Sequence, residues 1–456
     1  MSVGRIMPMG RLKAKELSPA ERVKGFIPYV EDYTLDQAVY EASRCLWCHD
    51  PPCVTKCPAG IMIPEFLFAL ASRDLRTAAK ILRESNVFAG VCGYVCPVEK
   101  LCESACVRKD LDEPVAISML QRFIYLYEKE NGFIAFEKAP ATGKKVAVIG
   151  AGPAGLAAAY ELAKRGHDVT VFDYMEEPGG LLLYGILPYK YDWSVPLTEI
   201  EYVRGYGVKI VTGRKIDSLD VLFKEGYQAV FIASGLTKPR KLNVPGEDLE
   251  GVFYALDFLA HVAKALRGTG SLPDFKGKRV AVIGGGDTAV DSALTALRLG
   301  AERVYIIYRR SLEEMPAVPA GRKQAREEGI EFILLAAPTR IIGENGKVKA
   351  IECIRMKLGA PDASGRRRPE PIPGSEFTLD VDVVLVAIGQ VPDEEFLSKL
   401  GVAIEKGLIK VDEKMQTSRE GVFAGGDVVN GGDTVVRAVS DGLKAAQAID
   451  EYLKGR

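Results

Sequence analysis

The stretch KKVAVIGAGPAG, Lys144 to Gly155, decides how the chain folds. Val146 to Ile149 is a run of small and β-branched apolar residues that reads as a buried strand, and helix formers follow Gly155. Between them Gly150 permits a tight turn, Gly152 lets backbone approach a pyrophosphate, and Gly155 lets the helix pack close to the strand. The helix start then turns free N–H groups and its positive dipole end toward an anion. A lone G-x-G-x-x-G is a weak signal. Here a second strand, Asp168 to Phe172, ends at Asp173, about 23 positions beyond Gly150, close to the spacing of about 20 for an acid on a ribose hydroxyl. The alternative is a solvated strand-end acid.

The pattern returns at Lys278 to Asp291, KRVAVIGGGDTAVD. Gly284 and Gly286 match the fingerprint, and Ala289 stands where the third glycine would be. The following strand, VYIIY, ends in Arg309 and Arg310 rather than in an acid. An acid there repels a 2′-phosphate, whereas an arginine pair attracts one, so NADPH is expected over NADH. The bland reading is a solvated basic strand end. This internal repeat implies two dinucleotides, or one bound and one vestigial.

Eight of the nine cysteines lie between Cys45 and Cys106, and only Cys353 lies elsewhere. RCLWCHDPPCVTKCP places Cys45, Cys48, Cys53 and Cys57 in a C-x2-C-x4-C-x3-C-P run. VCGYVCPVEKLCESAC holds Cys92, Cys96, Cys102 and Cys106. A compact run ending in Cys-Pro is closer to iron–sulfur ligation than to the paired C-x2-C of zinc sites, and its last cysteine typically reaches to the other cluster. Two 4Fe-4S clusters are therefore expected, with zinc or disulfides as alternatives. Crossed ligation puts Cys106 with Cys45, Cys48 and Cys53, and Cys57 with Cys96 and Cys102. One ligand position stays open, and spacing nominates Cys92. Helices are expected over 32–47, 63–82 and 113–131, with 129–142 as a linker.

Other stretches fill in the frame. PGGLLLYGILPYK carries Gly179 and Gly180 where close backbone approach to a ligand is expected. The strand AVFIASG suits a buried parallel position, and VDVVLVAIG would cross back toward the first unit. In GVFAGGDVVNGGDTVVRAVSDGLKAA, Asp427 could bind a ribityl hydroxyl, and the helix after Thr434 turns its dipole toward a ligand. Arg366, Arg367 and Arg368 read as a hairpin tip, or more sharply as a docking patch for an acidic partner. With three histidines, His49, His167 and His261, imidazole chemistry is not expected. The formal charge of −1 provides no attraction to nucleic acid or anionic membrane. No apolar run is long enough to span a bilayer and no signal core opens the chain, so a cytoplasmic location is expected. The 456 residues suit about three domains.

Taken in order, the paired cysteine groups, VAVIGAGPAG, PGGLLLYGI, VAVIGGGDTA, RRSLEEMPA and VFAGGD resemble the glutamate synthase small (beta) subunit family. Related to it are the NADH-dependent ferredoxin:NADP oxidoreductase large subunit and the N-terminal half of dihydropyrimidine dehydrogenase. The resemblance implies an α/β fold of two Rossmann-like dinucleotide-binding domains, for FAD and NADPH, preceded by an α-helical iron–sulfur domain. The expected division is 1–140 for the clusters, 141–254 with 391–456 for FAD, and 255–390 for NADPH. FAD is expected on Gly150, Gly152, Pro153, Ala154, Gly155, Asp173, Gly180, Leu181, Gly426, Asp427, Thr434 and Val435. NADPH is expected on Gly284, Gly286, Asp287, Thr288, Ala289, Arg309 and Arg310. The resemblance nominates Gln121, not Cys92, as the last ligand of the second cluster. CGYVCP and that glutamine look most like the pyrimidine dehydrogenase branch. One departure is Tyr184-Gly185-Ile186-Leu187, where the family's YGIP has its proline one place earlier than Pro188. The implied activity passes electrons from NADPH through FAD and the clusters to a partner protein, a glutamate synthase catalytic subunit. A ferredoxin is the enzymatic alternative, with or without bifurcation. A metal-stapled nucleotide-binding assembly subunit is the alternative of another class. Oligomeric state stays open.

Overall fold

The computed structural model describes residues 10–362 and 365–455 of the chain; residues 1–9 of the expected cluster segment lie outside the described residues. Two five-stranded sheets organise it. The first runs, in spatial order, Val422–Ala424, Ala229–Ile232, Lys145–Ile149, Asp168–Phe172 and Lys209–Val211, with all neighbours parallel. The second runs Val252–Tyr254, Val383–Val386, Arg279–Ile283, Arg303–Tyr308 and Glu331–Leu334, also all parallel. Each glycine turn thus leaves a central strand of its own sheet, as the near-continuous apolar runs require of strands covered on both faces. Lys238–Pro239 and Gln390–Val391 pair antiparallel where the chain passes between the sheets.

The first sheet is covered by the helices Pro153–Lys164 and Val435–Lys454, which meet through small residues. A Cβ on Gly442 would stand 2.2 Å from the Ala154 carbonyl oxygen, so this crossing accepts only glycine. Beside the second sheet, Lys347–Pro361 pairs antiparallel with Ala336–Glu344, Arg367–Pro371 and Phe377–Asp380. Among the described residues no helix is long and apolar enough to cross a membrane.

The N-terminal helices are shorter than the periodicity predicts. The first spans Leu35–Ala42, opened by a reciprocal capping box between Thr34 and Gln37, and ends before Cys45, so Cys45 and Cys48 lie on the loop that follows. The expected 63–82 helix is two, Ile63–Ala71 and Leu75–Ser85, broken where Arg73 takes φ +62 and Asp74 caps the second through Thr77. The third begins at Ile117 rather than 113.

One buried network ties these helices to the first sheet's layer. Arg83 donates from Nη1 to Glu199 Oε1 at 2.5 Å and from Nε to Glu128 Oε2 at 2.8 Å, with both partners buried. Its Nη2 has no hydrogen-bond partner, but the guanidinium lies over the Phe133 and Tyr202 rings at 4.8 and 5.5 Å. Glu199, on Ser194–Gly205, also accepts the Gly90 and Val91 amides at 2.8 and 3.0 Å, and so occupies the N-terminus of the cysteine-bearing helix Ala89–Val95. The second sheet's layer is joined through Lys190 to Asp291 at 3.1 Å and Arg22 to Glu327 at 3.0 Å.

Arg83→Ala leaves two buried carboxylates unpaired, a change expected to cost about 3–5 kcal/mol. A lowered urea midpoint of the N-terminal transition checks it, and an unmoved midpoint would show that this network does not hold the junction. His167 is buried between Thr142 Oγ1 at 2.8 Å and Asp450 Oδ1 at 3.1 Å, and burial holds its imidazole below the ordinary range. A base with a depressed folded-state pKa contributes stability above its unfolded value of about 6.5, and this is lost as pH falls through the folded value. His167→Gln is expected to flatten the acid side of the pH–stability curve.

Candidate cofactor sites

At the first turn Gly150 takes φ +106, and a Cβ there would meet the Ala233 carbonyl oxygen at 2.3 Å. A Cβ on Gly155 would stand 1.9 Å from the Gly150 oxygen. Gly152 differs: nothing lies within 4 Å of its missing side chain. It faces a cavity of about 600 Å³ lined also by Gly150, Pro153, Ala154, Asp173, Gly180, Leu181, Gly426, Asp427, Thr434 and Val435. These are the residues expected at FAD from sequence, apart from Gly155, which lies beneath the turn. Gly180, at φ +55, would carry its Cβ 3.1 Å from the Gly152 Cα, so the two glycine loops touch each other at the cavity wall.

Asp173 accepts the Ala151 and Met175 amides at 2.6 and 2.8 Å and therefore shapes the turn as well as facing the cavity. Burial pushes its carboxyl up, and burial does the same to Asp427. Asp441, not singled out from sequence, pins the Gly426 amide at 3.1 Å. Arg214, Lys215, Thr237, Lys238 and Asp393 also line the cavity and were missed, because they lie on loops, or for Lys238 on a two-residue strand, that carry no motif.

The second turn repeats the first. Gly286 has φ −87, ψ 177 against −80, −177 at Gly152, and both open onto free space. Gly284 takes φ +146 beside the Ala387 carbonyl. Ala289 is buried at the third position, Thr288 follows Asp287, and the Asp287 carboxylate accepts the Val318 amide at 2.9 Å. The arginine pair splits. Arg310 is buried, bonded to Asp362 at 2.7 Å and to the Arg367 carbonyl at 2.8 Å. Arg309 is exposed, and burial of part of the side chain and then repulsion from Arg310 and Arg366 lower its pKa. Arg367 pairs with Glu314, so part of the expected hairpin tip folds against this site.

The cysteines separate into two groups across the sequence order. Cys45 and Cys53 lie in the field of Cys48 and Cys106, and burial pushes them up to about 12 and about 11. Cys57, Cys92, Cys96 and Cys102 line a second pocket together with Asn86, Gln121 and Val436. There a hydrogen bond with Cys92, and then burial, pushes Cys96 well up. Thiols crowded in apolar surroundings resist ionisation until a cation displaces their protons, and soft sulfur donors select iron–sulfur clusters, so the donor sets fit such a group. Among the described residues no group of three or more His, Cys, Asp or Glu is arranged to hold a lone metal ion. Both nominees for the open position face the second pocket. Gln121 is 4% exposed, and the Cys92 sulfur accepts from Asn86 Nδ2 at 3.2 Å.

The family described as pyridine nucleotide-disulphide oxidoreductase matches residues 144–442, and dihydropyrimidine dehydrogenase domain II, 4Fe-4S cluster, matches 22–133. The Escherichia coli glutamate synthase [NADPH] small chain is 39% identical over 94% of both chains. The NADP(+)-dependent formate dehydrogenase subunit beta of Moorella thermoacetica is 41% identical over 88% of this chain, which spans only 60% of that relative. The fold resembles FprA from Mycobacterium tuberculosis, with TM-score 0.59, 21% identity, and coverage of 69% of this chain and 85% of that one.

Gly152→Ala meets no polypeptide atom, whereas Gly155→Ala collides with its own turn. The first is expected to fold with unchanged thermal stability yet lose flavin at least tenfold in a binding titration, and the second to lose both. Full flavin binding by Gly152→Ala would remove Gly152 from the binding surface.

Proposed function

The chain belongs to the glutamate synthase small-chain family and to the pyridine nucleotide-disulphide oxidoreductases, and from that premise we propose that it draws electrons from NADPH and delivers them through its cysteine domain to a glutamate synthase catalytic subunit. It is an oxidoreductase of FAD, NADP(H) and 4Fe-4S clusters. When bound, the nicotinamide and flavin supply hydride chemistry and the clusters supply single-electron transfer.

The protein's own part is positioning. Gly150, Gly152 and the start of the helix at Pro153 receive the FAD pyrophosphate, Asp173 its ribose, and Asp427 its ribityl chain. The 20-residue helix Val435–Lys454 turns its N-terminus to the same cavity, where its dipole favours negative charge. Gly284, Gly286 and the Asp287–Ala289 helix start receive NADPH, with Arg309 on the 2′-phosphate. Arg310 acts through its side-chain bonds to Asp362 and the Arg367 carbonyl, which anchor the chain beside Arg309. Cys45, Cys48, Cys53 and Cys106 hold one cluster, and Cys57, Cys96, Cys102 and Gln121 the other. The division at about 140, 254 and 390, with 391–456 returning to the FAD domain, and a cytoplasmic location belong to the same reading.

The observation that carries it is a shared wall. Val435 lines the large cavity and Val436, the next residue of the same helix, lines the second cysteine pocket. A flavin in one and a cluster in the other would therefore lie to either side of the first turn of this helix. A second reading, as a subunit serving another acceptor, is favoured by the identity to the Moorella thermoacetica protein.

Iron-replete protein mixed with the E. coli large chain tests the partner: NADPH-driven glutamate formation supports it, and flavin bleaching by NADPH without glutamate favours the second reading. Arg309→Ala is expected to raise KM for NADPH about ten- to a hundredfold, the worth of one charge-assisted hydrogen bond, with little change for NADH. Equal effects on both would remove Arg309 from the phosphate.

A further inference from the structure

The second cysteine pocket holds more donors than one cluster has irons to bind. Cys57, Cys96 and Cys102 would leave one iron of a bound cluster open, and both Gln121 and Cys92 line the same pocket. Thiolate is the softer and stronger ligand for iron. Cys92 also stands four residues before Cys96, whose backbone amide bonds to the Cys92 carbonyl at 3.1 Å, so both lie at one end of the same helix. An amide ligand in this pocket therefore requires something that engages the Cys92 sulfur and fixes it in place.

Asn86 supplies that constraint. It is 1% exposed, at the end of the helix Leu75–Ser85, with its backbone amide bonded to the Leu82 carbonyl at 3.0 Å. Its Oδ1 accepts the Phe88 amide at 2.9 Å, which leaves Nδ2 to face the Cys92 sulfur at 3.2 Å. The neighbouring Val87 carbonyl is held by Arg83 Nη1 at 2.5 Å, so the segment cannot swing aside without breaking the buried network. Gln121, in contrast, is 4% exposed and lines the same pocket, where its amide oxygen offers lone pairs to the pocket's occupant.

We propose that Asn86 is the positioning residue that reserves the fourth iron for Gln121, and that Cys92 is a latent ligand that takes this iron when Asn86 or Gln121 is removed. In the exchange the iron–oxygen bond to Gln121 breaks, an iron–sulfur bond to Cys92 forms, and the thiol proton leaves to solvent, with no electron transferred. The cluster gains one negative charge, so its potential falls. The inference rests on the reading that a 4Fe-4S cluster occupies this pocket.

Full-length protein loaded anaerobically with ⁵⁷Fe and sulfide tests it. Asn86→Ala is expected to keep the wild-type iron content, lose the Mössbauer signature of an iron without full thiolate ligation, and show a more negative midpoint for the second cluster by EPR titration. Asn86→Ala with Cys92→Ser restores both readouts. Gln121→Ala keeps a four-iron cluster through Cys92, whereas Gln121→Ala with Cys92→Ser drops to three irons at this site. This pair leaves Asn86 intact and tests the latent ligand even if Asn86→Ala fails to fold. An Asn86→Ala protein with wild-type signature and midpoint overturns the role of Asn86. A Gln121→Ala protein no better loaded than its double variant overturns that of Cys92. Wild-type protein that takes up no iron overturns the cluster reading itself.

Discussion

A single buried guanidinium holds the cysteine domain in register with the rest of the molecule. Arg83 bridges Glu128 of its own helical layer and Glu199 of the layer beside the first sheet. Glu199 in turn occupies the start of the helix that carries Cys92 and leads to Cys96. Burying three charges is costly in itself and is tolerated only because each is paired. What the arrangement secures is position: the pocket of the second cysteine group is fixed relative to the helix whose first residues, Val435 and Val436, separate it from the large cavity.

The two glycine turns show how one local solution serves two tasks. Gly152 and Gly286 share their backbone geometry and both face open space, as backbone meant to approach phosphate must. They differ at the third position. Gly155 admits no side chain against the Gly150 oxygen, while Ala289 is accommodated and fully buried. The strand-end residues then divide the ligands. Asp173 is held inward by two backbone amides, and Arg309 is pushed outward among other cations. The first arrangement suits a neutral ribose and the second an added phosphate.

Much of the site was legible before any coordinates. Fingerprint spacing is a local property, because turn, helix start and strand-end acid follow one another within a few dozen residues. The cavity accordingly gathers the residues nominated for FAD, apart from Gly155. Helix extents were less legible. Apolar periodicity runs unbroken through Ser72 and Arg73, yet the chain breaks there, since two helices must fold back to enclose the cysteines. The arginine pair was read as one unit, and only packing against Arg367–Pro371 shows that Arg310 faces inward. Asn86, Val436, Asp441 and Arg83 carried no signal at all, because each acts on a residue distant in sequence or on an element of another layer.

The sequence by itself determined the two dinucleotide turns, the preference for a 2′-phosphate and the iron-type cysteine spacing, since all three are written in short-range order and side-chain chemistry. It also limited the last cluster ligand to two candidates without choosing between them. Only the tertiary structure decided that Gln121 and a Cys92 held by Asn86 share one pocket, and that adjacent residues of one helix line this pocket and the large cavity. Those are consequences of buried charges and helix ends meeting across layers, and no local pattern encodes where separate layers come into contact.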